Sequence, residues 1–172
     1  KEFVQIDQHG EFISAVQLSD FDSPSRNSQL IKSYIFSDAS PDAYGMQTKY
    51  HGTIDLLDKF TNCFKGTSFK PDNALMVLAD YGHGKSHFAL EAMNYFDKPK
   101  DSLEIKIILD RIKQTLPNKA AKAEKFSVFK NEKDRFLVLY LDGTSGKSIK
   151  EMLYLSILKG LSRNAATKNY QL

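Results

Sequence analysis

Cysteine occurs once, at Cys63, and that scarcity excludes an internal disulfide and a cysteine-based metal cluster. Within "LLDKFTNCF" the lone thiol reads as buried and apolar. No apolar run approaches the roughly 18 residues of a membrane span, and the N-terminus lacks the pattern of a secretion signal. Internal repeats and low-complexity tracts are absent. Excess charge is scarce too: 24 Lys and Arg against 21 Asp and Glu leave +3 at pH 7. So small an imbalance does not by itself argue for a nucleic-acid partner. The setting expected is cytoplasmic.

What remains is ordinary globular material. At 172 residues, 41% of them hydrophobic, the chain suffices for one domain with a core, or for part of a larger one. Lysines thicken over residues 98–130, which reads as the solvated face of one or two surface helices.

Along the chain, "EFVQIDQHGEFISAVQLSDF" reads as two short runs about His9 and Gly10, a hairpin pattern. "DSPSRNSQ" and "SDASPDAYGMQ" read as loops, with "LIKSYIF" between them as a short helix or strand. From Gly52 a helix is expected, with Ile54, Leu57, Phe60 and Phe64 on one face and Gly66 as its stop. "ALMVLAD" (74–80) and "RFLVLYLD" (135–142) have the length and apolar continuity of strands buried on both faces. Helices are expected over 85–96, from Asp101 or Ser102 to Pro117, and from Ile149 onward, with a polar connection before Arg135. Strands alternating with helices predict an α/β fold. Its parallel sheet, of the P-loop NTPase type, is flanked by helices and preceded by a small mixed α/β region. The organisation expected is an N-terminal region at 1–51 and part of an ATPase domain at 52–172.

Gly-Lys-Ser occurs twice, in "ADYGHGKSHFAL" and "DGTSGKSIKEML". A phosphate loop needs a strand, a loop whose backbone N–H groups turn inward, and a helix whose positive N-terminal end faces the anion. The spacing is G-x-x-x-x-G-K-[ST]. Counting five places back from Gly84 finds Ala79, a mild replacement for glycine; from Gly146 it finds Leu141, a large strand residue. The first loop is therefore the cradle, formed by Ala79, Asp80, Tyr81, Gly82, His83, Gly84, Lys85 and Ser86. Lys85 contacts the β- and γ-phosphates, and Ser86 holds Mg²⁺. The second is a turn in which Ser145 or Ser148 caps the following helix. His83 and His87 have no partner at metal-ligand spacing. Asp142 ends an apolar run, as does the acid that holds Mg²⁺ through water in NTP hydrolysis. The competing reading makes its segment simply the next strand, with the acidic strand beyond Leu172.

At "ALMVLADYGHGKSHFALEAMNYF" the chain resembles the large prokaryotic P-loop ATPases of BREX-type and related phage-defence islands, whose loop reads like "YGxGKSH". The later "FLVLYLDGTSGKSIKEMLYLSILKGL" is similar to the strand and helix before the acidic strand of AAA+-like ATPases. The resemblance implies ATP and Mg²⁺ as cofactors and a DNA-associated multiprotein complex of antiviral defence. Its partners are other subunits, with DNA and a second copy as further candidates and no membrane. The chain is then expected to be an N-terminal piece of an ATPase whose hydrolysis is completed elsewhere. A non-hydrolysing, nucleotide-dependent interaction module is the alternative. A small phosphotransferase ranks below it, because Arg111 and Arg135 are the only arginines between the loop and the second expected strand.

Overall fold

Pro24 occupies the first turn of a helix, where its missing N–H costs nothing and its fixed φ suits the helical backbone. Residues read as a loop therefore start α1, Pro24–Ser33. The computed structural model describes residues 15–38, 52–64, 74, 76–78, 84–141, 143 and 146–163. Before α1 lies a short 3₁₀ turn, Leu18–Asp22. After it come α2 (Thr53–Cys63), α3 (Lys85–Asp97), α4 (Leu103–Thr115), α5 (Ala120–Lys133) and α6 (Ile149–Arg163). The hairpin pattern about His9 and Gly10 lies outside the described residues, as does Gly66.

Helical spacing was a sound guide for α2, α3, α4 and α6. In α4, Ser102 is the N-cap, its hydroxyl accepting from the Ile105 amide at 3.3 Å. The expected parallel sheet is overturned: the described residues are mostly helical, and none of them belongs to a strand. Residues 76–78 and 135–141 are non-helical segments, and neither is buried on both faces. Met76 and Leu78 are each 83% exposed, and Leu137 is 52% exposed.

The physical reason is visible in the hydrogen bonds. A strand needs a neighbouring strand for its alternate N–H and C=O groups. Here helices take them instead. Phe136 N–H donates to the Phe96 carbonyl at the end of α3 (2.9 Å), and Tyr140 N–H donates to Ser156 Oγ on α6 (2.9 Å). The Val138 carbonyl accepts from Arg163 Nη2, also on α6, at 2.7 Å.

α3 is the central element. Phe88, Leu90, Tyr95 and Phe96 are buried against Leu30 and Ile31 of α1, Ile105, Ile108 and Ile112 of α4, and Phe126 and Phe129 of α5. The core thus takes side chains from both sides of position 51. Tyr95 satisfies its buried hydroxyl by donating to the Phe126 carbonyl (2.8 Å). Cys63 differs from expectation: it is half-buried, and its thiol donates to the Lys59 carbonyl (3.2 Å).

α5 replaces the expected polar connection, and its lysines are not simply solvated. Lys122 bridges Asp38 at 2.5 Å and Asp55 at 2.8 Å, Lys119 also pairs with Asp38, and Lys125 meets Asp58 at 2.5 Å. Burial works to raise the pKa of Asp38 and Asp55, but their lysine partners outweigh it and hold both carboxyls below the usual range. Lys130 is buried outright. Its ammonium donates to the Asp134 carbonyl and lies 5.7 Å from the centre of the Tyr95 ring. Desolvation pushes its pKa down to about 8, against the pull of Asp134.

Candidate phosphate-binding site

The site begins with one backbone angle. Gly84 is the N-cap of α3 and has φ +73°, in the left-handed region where a Cβ is strained. Among the described residues a Cβ here would meet nothing within 4 Å, and the positive φ by itself asks for glycine. Lys85 and Ser86 then fill the first two positions of a 13-residue helix. Its first turn carries no acidic residue to oppose an anion. Gly84 brings no capping side chain, and the Ser86 hydroxyl is exposed. A helix start of this kind presents amide N–H groups and the positive end of the helix dipole.

Ala79, Asp80, Tyr81, Gly82 and His83 lie outside the described residues, and so does Asp142. Of the expected cradle, Gly84, Lys85 and Ser86 are therefore the described part. His87 turns the other way. Its Nε2 donates to the Leu30 carbonyl (2.8 Å), and its ring packs edge-on against Tyr34. Burial lowers its pKa despite that hydrogen bond, so it is a neutral core histidine.

Beside this helix start lies a cavity of about 680 Å³. It runs between α2, α3 and residues 136–139, with Phe60, Phe64, Met93, Phe96 and Phe136 in its walls. Lys85 and Ser86 supply the polar side chains among its described lining residues.

The second Gly-Lys-Ser begins α6 in a different register. Gly146 also has positive φ (+67°), but the helix does not start until Ile149. Ser148 is consequently the cap. Its hydroxyl accepts from the Glu151 amide (3.3 Å) and donates to Glu151 Oε2 (2.7 Å), while its own N–H donates to the same oxygen (2.9 Å). This is a reciprocal capping box. The Ser148 hydroxyl, then its amide, holds the Glu151 carboxyl below its usual range. An anion arriving at α6 would meet a carboxylate already seated there, and Lys147 lies outside the helix.

The two arginines weighed for a phosphotransferase lid have structural duties. Arg111 donates to the Lys32 carbonyl, and Arg135 donates to the Asp97 carbonyl (2.7 Å). Sequence reasoning missed a buried polar row on the far side of α3. There Asn94 exchanges amide hydrogen bonds with Asn27 at 2.8 and 2.9 Å, next to the buried Glu91. The signal was present in "HFALEAMNYF", where Glu91 and Asn94 stand among apolar residues at helical spacing from His87. Asp22 was missed as well. It receives Tyr140, Lys159 (3.0 Å) and Arg163 (3.0 Å), so α6 is tied to the 3₁₀ turn.

Among the described residues no helix is long and apolar enough to cross a membrane, and no cluster of His, Cys, Asp or Glu is placed to hold a metal ion. No protein-family model, curated protein or solved structure matches the chain.

Proposed function

We propose that the chain binds ATP with Mg²⁺ through the loop ending at Gly84, Lys85 and Ser86. One observation carries this: a left-handed glycine hands the backbone directly to a buried helix whose first two residues are lysine and serine. The amides at such a start bind phosphate oxygens, and the lysine adds a point charge. Mg²⁺ suits the same place, because it typically takes few protein ligands alongside substrate phosphates and water. Ser86 would supply the protein oxygen. When bound, the ion neutralises phosphate charge; Lys85 and Ser86 bind and orient. Binding of this kind draws on the helix start and does not depend on a sheet.

In the biological reading that accompanies this site, the chain serves a large prokaryotic ATPase of phage-defence type, AAA+-like and working with other subunits near DNA. The "YGHGKSH" string supports that reading. Hydrolysis is assigned to residues other than these two. A nucleotide-dependent interaction module is the second reading, favoured by the exposure of Met76 and Leu78 (83% each) and Ile149 (72%).

The test is thermal unfolding with and without ATP·Mg²⁺. Binding raises the midpoint, and Lys85→Ala removes the rise. No rise in the unmodified chain, or an equal rise in Lys85→Ala, refutes phosphate binding at this loop. Turnover at about 1 s⁻¹ or more by this chain alone would refute the assignment of hydrolysis elsewhere.

A further inference from the structure

Glu91 stands in the middle of α3, 1% exposed, and neither of its carboxyl oxygens has a hydrogen-bond partner among the described residues. A buried ionised carboxylate is very costly unless it is paired or hydrogen-bonded. The groups facing Glu91 do not provide this. On α3 itself, His87 Nε2 lies 4.0 Å away, but that nitrogen is engaged by the Leu30 carbonyl and the ring is neutral. From α1, Asn27 is engaged with Asn94, and the Arg26 charge is felt at His87. After α1 comes Tyr34, a phenol whose own ionisation Glu91 would oppose. From α4, Arg111 attracts a charge on Glu91, but its guanidinium donates to the Lys32 carbonyl.

We infer that Glu91 is held as a neutral carboxylic acid in the folded chain, and that loss of its proton loosens α3 from α1 and α4. Burial pushes the Glu91 pKa up to about 9, with Arg111 pulling in the opposite direction. The folded chain then keeps a proton that the unfolded chain releases near the ordinary glutamate value of 4.5. Stability from this group is full below that value and is lost as pH rises toward about 9. His87 has the opposite sign, with stability lost as pH falls through its lowered pKa. Because α3 also presents Lys85 and Ser86, the contact guarded by Glu91 is the one that seats the candidate phosphate site. The inference concerns the apo chain and stands whether or not a nucleotide binds.

The experiment compares denaturant unfolding of the unmodified chain and Glu91→Gln between about pH 5.5 and 8.5. Glutamine keeps the shape and cannot ionise, while other titrating groups are common to both chains. The unfolding constant of the unmodified chain, relative to Glu91→Gln, is expected to rise about tenfold per pH unit. Profiles that stay parallel within about twofold overturn the inference. Should Glu91→Gln fail to fold, side-chain carboxyl resonances of the ¹³C-glutamate-labelled unmodified chain decide. One glutamate still protonated at about pH 7 supports it; ionisation of all of them below about pH 6 overturns it.

Discussion

α3 and α6 both begin at a Gly-Lys-Ser and have similar lengths, 13 and 15 residues, yet their first turns do different work. At α3 the glycine is the cap, so lysine and serine stand inside the helix with the amides. At α6 the helix starts three residues after the glycine, and serine closes on a glutamate of its own helix. The bodies of the helices differ as well. Phe88, Leu90, Tyr95 and Phe96 of α3 are at most 9% exposed. On α6, Ile149 is 72% exposed and Tyr154 58%, while Ser156 and Gly160 form its buried contact. The difference teaches that a tripeptide acquires a role only through helix register, which the next polar side chain can shift.

The comparison breaks most visibly in stability. Leu90→Ala should cost about 3 kcal/mol by cavity formation in the core, whereas Leu153→Ala should cost about 0.5 kcal/mol or less. Denaturant titration of both variants checks this, and equal losses would show that α6 is as much a core helix as α3. Next comes the ligand. Lys85→Ala should weaken ATP·Mg²⁺ by about 1.5–3 kcal/mol, roughly 10- to 150-fold, while Lys147→Ala leaves it unchanged. Calorimetric titration separates the two lysines.

The serines sharpen the contrast further. Ser148→Ala should lose about 1 kcal/mol of stability with the capping box. Ser86→Ala, measured without ligand, should stay within about 0.5 kcal/mol of the unmodified chain, because the Ser86 hydroxyl is exposed. The smallest effect is expected at Gly160. Alanine gains about 0.5–1 kcal/mol of helix propensity, but its Cβ would lie 2.7 Å from Leu137 Cδ1. Leu137 is half exposed and has room to swing away. Thermal unfolding should therefore show a net change of about 0.5 kcal/mol or less. A large loss would mean that residues 135–141 are held more tightly against α6 than their exposure implies.

How much of this was legible beforehand varies by element. α2, α3, α4 and α6 announce themselves by apolar spacing, and Ser102 and Ser148 by cap chemistry. α1 was hidden because Pro24 and its neighbouring serines spell a loop as readily as a helix start. α5 was hidden because "AAKAEKFSVFKNEK" is held partly by Asp38, Asp55 and Asp58. Asp55 and Asp58 lie on α2 and Asp38 beyond the end of α1, and no window of sequence contains them together with α5. The two apolar runs misled for a related reason. A short run of this kind is compatible with a strand, but strands exist only in pairs. Here the amides of Phe136 and Tyr140 found α3 and α6 instead.

At the candidate site the division is equally physical. Sequence alone determined the preference for "ADYGHGKS" over "DGTSGKS", since the spacing back to Ala79 or Leu141 is a covalent fact. It also determined that Ser145 or Ser148 should cap the second helix. Tertiary structure decided that Ser148 does so. It decided, too, that His87 faces α1 and that Glu91 is sealed from water with no hydrogen-bond partner among the described residues. Local bonding rules act over three or four residues and can be read from the chain. Burial and charge pairing depend on what α1, α4 and α5 bring to α3, and that is known only once the helices have packed.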